Sequence, residues 1–213
     1  MDRRLPLILL ALYTVVWVLC AINPRYPADW AVENILVAVF IPLLVWQYRR
    51  APMSNLAYGC LFAFFCLHSL GSHYTYAEVP WDSGWQALTG HSLQAALGFE
   101  RNHYDRLVHF AYGLLTTPVW VEILGRHVPP LARPWHWLLP LTFMLSHGSL
   151  YELIEWAAAV VFGGDLGEAY LGTQGDIWDA HWDMLLAGLG SALALAALAA
   201  GGRLPHDATR RLR

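Results

Sequence analysis

Carboxylates and imidazoles recur at helical spacing through this chain. Asp105 and Arg106 precede His109, Glu152 precedes Glu155, and Asp176, Asp179 and Asp183 form a stripe, with His68, Ser72 and His73 upstream. Residues three or four apart share one face of a helix. Asp105 with His109, Glu152 with Glu155, His68 with Ser72, and the aspartate stripe are therefore ready sets of oxygen and nitrogen donors. His73, at the end of its segment, can swing inward from the following loop, whereas His181 lies two residues from both Asp179 and Asp183 and points elsewhere.

Three chemistries suit these residues. In one, the acids and histidines hold one or two divalent metal ions inside a helical bundle. His68, Asp105, Glu152, Asp176, Asp179 and Asp183 are then the expected ligands, and His73, Arg106, His109 and Glu155 the catalytic groups. In another, Arg106 and the histidines bind a phosphate or carboxylate while the acids relay protons. In the third, Arg106 pairs with a carboxylate and the remaining groups hydrogen-bond helices together. No spacing here matches a specific metal motif such as His-Glu-x-x-His. The six acids outnumber Arg106, so metal, bound protons or a cationic substrate must compensate most of them.

The elements that carry these groups follow from composition. Apolar residues make up 57% of the 213 positions and charged residues 14%, against about 25% charged in a soluble domain. The apolar blocks are long enough to cross about 30 Å of hydrocarbon. They predict an all-α, polytopic membrane bundle of about six transmembrane helices in a single domain, at about residues 5–22, 32–48, 55–72, 104–123, 135–161 and 177–200. Asn23-Pro24-Arg25-Tyr26-Pro27 follows the first block without a small-residue cleavage site, so that block reads as a retained helix rather than a secretory signal. Residues 74–102 form an outer loop, in which Trp85, Leu88, Leu93, Ala96 and Leu97 predict one face of a short interfacial helix.

There is no lysine. Ten arginines (3, 4, 49, 50, 126, 133, 203, 210, 211 and 213) fall in the terminal and even-numbered loops, and Arg25, Arg101 and Arg106 lie opposite. The bias places both termini in the cytoplasm and the polar residues toward the outer side. Burying such groups in hydrocarbon is costly, so they are expected to face one outward-opening cavity. Cys20, Cys60 and Cys66 read as helix packing, with a Cys20–Cys66 disulfide as the lesser alternative. Gly113, Gly148, Gly188 and Gly190 read as close helix contacts. Gly172-Thr-Gln-Gly175 predicts a tight lid before the last helix, with the Asp176 and Ile177 amides free for an anion.

The segments His68-Ser-Leu-Gly-Ser-His73-Tyr-Thr-Tyr76, Asn102-His-Tyr-Asp105-Arg-Leu-Val-His109-Phe, Tyr151-Glu-Leu-Ile-Glu155-Trp and Gly172-Thr-Gln-Gly-Asp176-Ile-Trp-Asp179-Ala-His-Trp-Asp183-Met resemble the bacterial YjdF-like inner-membrane proteins, in the right order over nearly the whole chain. That family's function is not established. A more distant likeness is to the VanZ-like membrane proteins, linked to low-level teicoplanin resistance. Their scheme is an acidic-basic pair with a histidine, a glutamate helix, and an acidic last helix ending in glycine. Asp105-Arg106 with His109, Glu152 or Glu155, and Asp176 to Asp183 with Gly190 correspond to it, and Asp183-Met184 departs from it where that scheme has asparagine. Both resemblances imply a multi-pass protein of the bacterial inner membrane.

The functional expectation is a metal-dependent membrane enzyme acting on a phosphorylated lipid or lipid-linked envelope precursor. A site just below the outer surface admits a headgroup while the acyl or prenyl chain stays in the bilayer. The alternatives are a small-solute or proton-coupled transporter and a structural membrane protein without catalysis. Membrane lipid and an amphiphilic phosphorylated substrate are the expected partners and nucleic acid is not. The metal's identity and the oligomeric state are left open.

Overall fold

A computed structural model of the chain describes residues 4–129, 132, 134–164, 171 and 173–204. They form α1 (Arg4–Cys20), α2 (Pro27–Arg50), α3 (Asn55–His73), α4 (Trp81–Thr89), α5 (Leu93–Ala96), α6 (Tyr104–His127), α7 (Trp135–Phe162) and α8 (Asp179–Ala200). Among the described residues, α2, α3, α6 and α8 are long and apolar enough to cross a membrane, and α1 is apolar but shorter. The molecule is an all-α, polytopic membrane bundle. Its outer faces are apolar, with Val15, Leu19, Ile35, Leu153 and Trp156 among the exposed side chains, as expected where hydrocarbon is the solvent.

Local chemistry sets the helix ends. Pro27 opens α2 at its first turn, where a missing amide costs nothing, with Asp29 in that turn and Arg49 and Arg50 in the last. The helix thus starts at residue 27 rather than near 32, and the extra turn places Asp29 and Glu33 on its buried face. Ser54 caps α3, its hydroxyl accepting from the Ala57 amide at 3.2 Å. The expected interfacial helix is two pieces, because Gly90 adopts the left-handed conformation (φ 79°) and ends α4. Asp82 joins the pieces by accepting from the Ser92 hydroxyl (2.7 Å) and the Gln94 amide (2.8 Å).

α6 and α8 form the central pair, with α3 against α6 and α1, and α7 against α8. Their backbones nearly touch. A Cβ at Gly113 would collide with the Ala187 carbonyl, and one at Gly190 with the Phe110 carbonyl. Thr117 Oγ1 and Ser191 Oγ, both fully buried, lie 2.8 Å apart in this seam. By contrast α2 packs mainly on α3 and hardly on α6 or α7. At the opposite end from the acids, Met53, Ala57, Tyr58 and Val119 form a buried cluster. Glu122 accepts from the Ser54 amide (2.9 Å), and Arg126 donates to the Ala51 and Pro52 carbonyls (2.6 and 2.8 Å).

Candidate intramembrane site

Asn102 organises the end of the bundle that carries the acids. Its side-chain oxygen accepts from the Tyr104 amide (2.9 Å) and the Trp81 indole (2.8 Å), while its amide nitrogen donates to the Val79 carbonyl (2.9 Å). Its backbone exchanges two hydrogen bonds with the Gln174 side chain (3.1 and 3.0 Å). The segment before α4, the start of α6 and the turn before α8 are thereby tied together.

Two arginines then latch α6 to α8. Arg106 contacts Asp176 at 2.5 Å and Asp179 at 3.7 Å, and its guanidinium lies 5.4 Å from the Trp182 ring centroid. Arg101 pairs with Asp179 and donates to the Thr173 carbonyl. Asp176 also accepts from the Trp178 amide at 2.9 Å. That bond first, and then Arg106 and Arg101, hold its carboxyl below the usual range. The Asp176 amide, expected to be free, donates to the Thr173 carbonyl at 2.9 Å within a turn.

One helical turn from Asp179, Asp183 faces Asp105 and His109. The three offer donor atoms that all lie within 4.8 Å of one another, and His109 Nε2 is 3.5 Å from Asp105 Oδ1. Asp183 is 3% exposed, and its Oδ1 is buried without a hydrogen-bond partner among the described residues. An unpartnered buried carboxylate oxygen is costly unless a cation or proton meets it.

A cavity of about 730 Å³ opens beside this trio, bounded by α2, α3, α6 and α7. Its polar end is lined by Asp29, Glu33, His68, Tyr76, Asp105, His109 and Glu155, while Val39, Phe40, Ile154 and Val161 line the apolar remainder. The Tyr76 hydroxyl lies 2.5 Å from His68 Nδ1, and burial pushes it far above its ordinary pKa, so it stays neutral. Its ring occupies the space left by the missing Cβ of Gly71. Deeper in, the Tyr112 hydroxyl is 2.9 Å from His147 Nδ1.

The expected residues therefore divide. His68, Asp105, His109 and Glu155 line the cavity; Asp183 joins Asp105 and His109 behind it. Glu152 does not line it, although it lies within electrostatic reach of Asp105 and Asp179, and Glu155 within reach of Asp105, Glu33 and Asp183. Asp176, Asp179 and Arg106 are engaged in the latch, which leaves the two aspartates few lone pairs for an ion. His73 Nδ1 contacts the Cys20 carbonyl at 2.9 Å, fastening α1 to α3 away from the cavity. All three cysteines are free. Asp29, Glu33, Tyr76, Arg101 and Asn102 were not singled out by spacing. The available signal for the first two was Pro27 as a helix start with acids four apart behind it. Arg3, Arg133, Asp165, Glu168, Gly172, Arg210, Arg211 and Arg213 lie outside the described residues.

The family described as "Predicted membrane protein (DUF2238)" matches residues 5–203. "Inner membrane protein YjdF" of Escherichia coli (strain K12) is 35% identical over 178 residues, covering 84% of this chain and 81% of that protein. No solved structure matches.

Proposed function

Since this chain belongs to the YjdF-like membrane-protein family described as DUF2238, we propose that it is a metal-dependent enzyme of the bacterial inner membrane. Its substrate is a phosphorylated lipid or lipid-linked envelope precursor, met at the outer face. The observation that carries this reading is the convergence of Asp105, His109 and Asp183 within 4.8 Å beside a mainly apolar cavity with one polar end, where one carboxylate oxygen is buried and has no partner among the described residues. A divalent ion there would compensate the carboxylates, polarise a phosphoryl oxygen and lower the pKa of a bound water. Glu155, which lines the same cavity, is the proton-transferring carboxyl in this reading. Arg101 and Arg106 act by holding the aspartates of α8 in position, and His73 by fixing α1, rather than by touching substrate. α1 and α7 are taken as two further crossings, making six with both ends cytoplasmic.

The test is metal analysis of detergent-purified protein, with Asp183→Asn and Asp105→Asn beside the parent chain. Removing either ligand is expected to weaken metal binding by more than about ten-fold and to alter the lipid profile of cells that depend on the protein. Metal-free protein with full activity would eliminate the reading. A proton-coupled carrier is favoured by one observation, the Tyr112–His147 pair deeper in the cavity. The Met53, Tyr58 and Val119 plug argues against an inward route. Counterflow of an unmodified solute in proteoliposomes would move the assignment to transport.

A further inference from the structure

The cavity's charge is one-sided. Asp29, Glu33, Asp105 and Glu155 line it together with three histidines, and among the described residues no arginine does. The chain has no lysine, and Arg101 and Arg106 are turned into the latch. Without a bound metal ion an anionic headgroup finds no counter-charge in this lining, whereas a cation meets carboxyl groups on several sides.

Asp29 and Glu33 stand on the α2 wall and take no part in the Asp105–His109–Asp183 trio. Among the described residues, that trio alone gathers donors closely enough for a metal ion. The α2 carboxylates therefore suit a larger cation. One unpartnered atom points the same way: Asp29, 4% exposed, lines the cavity with a buried Oδ2 that has no hydrogen-bond partner among the described residues.

Apart from the Tyr112–His147 pair, the rest of the space is mainly apolar and opens toward hydrocarbon. α2 hardly touches α6 or α7, and Val39, Ile154 and Val161 are cavity-lining yet at least half exposed. The slot between α2 and α7 is thus open sideways at membrane depth. At about 730 Å³, its volume lies within the range of roughly 300–1,000 Å³ typical of small-molecule sites.

We propose that the slot between α2 and α7 binds a membrane amphiphile whose headgroup carries a protonated amine, held by Glu33 and Asp29, with its hydrocarbon chain along the apolar remainder. The proposal rests on the amphiphile part of the functional reading above. It needs neither the metal nor any bond broken.

The experiment uses full-length protein in a neutral maltoside detergent and compares dodecylammonium, dodecanol and dodecyl phosphate by tryptophan fluorescence, with chelator present. Dodecylammonium is expected to bind at least about ten-fold more tightly than either other probe, the worth of one charge-assisted hydrogen bond. Glu33→Gln, or Asp29→Asn should the first fail to fold, is expected to remove that preference and leave dodecanol binding unchanged. Equal binding of the three probes, or a preference unaffected by both substitutions, overturns the proposal. Asp183→Asn separates the two readings: it is expected to weaken metal binding by more than about ten-fold and leave the amine preference intact.

Discussion

Asp179 and Asp183 stand one helical turn apart on α8 and meet opposite surroundings. Asp179 is paired with Arg101 and has little left to offer a cation. Asp183 keeps a buried oxygen without a partner among the described residues. Asp176, just before the helix, allows a test through acidity. Its carboxyl sits below the usual range because of the Trp178 amide and the two arginines. It therefore contributes stability above the unfolded carboxylate value of about 4, and that contribution fades as pH falls through the lowered value. Asp176→Asn is expected to lower the thermal midpoint at neutral pH, with the gap to the parent chain closing below about pH 4. A gap constant from neutral to acid pH would count against the latch. Spacing alone made Asp105, His109, Asp183 and His68 legible, because helical period tells which residues share a face. It did not tell that Asp176 and Asp179 have arginine partners, since those arginines reach them across the bundle, from 70 or more residues away.

The helices are legible to a different degree. Hydropathy finds the long segments because a crossing demands length, but it misplaces ends that polar residues enter. The apolar run places the start of α2 near residue 32, past Pro27 and Asp29, whereas the helix begins at Pro27 and its first turns carry Asp29 and Glu33 inward. The apolar positions of the loop continue past Gly90 and predict one helix, but the left-handed backbone of Gly90 ends the first piece there. Gly113 and Gly190, which the sequence marks as close helix contacts, both stand where only backbone fits. Gly113→Val or Gly190→Val is expected to destabilise the protein by at least the roughly 1–3 kcal/mol of ordinary overpacking. Gly59→Ala on α3, with open space around it, is expected to be near neutral. Thermal unfolding in detergent distinguishes them, and equal midpoints for the seam and control variants would show that the helices can part without loss.

For the molecule as a whole, orientation comes from arginine placement rather than from packing. Reporter fusions at Arg50, Gly90, Arg126, Gly167 and Arg213 are expected to read inside, outside, inside, outside and inside. An outward Arg213 would end the six-crossing arrangement. The contact pattern also divides the bundle mechanically. α6 and α8, locked backbone to backbone, make a stiff spine bearing Asp105, His109 and Asp183, while α2 is attached chiefly through α3. Thinning or thickening the bilayer acts first on the tilt of weakly held helices. The width of the cleft therefore responds to the elastic state of the surrounding membrane, and the spacing of the three donors on the spine does not.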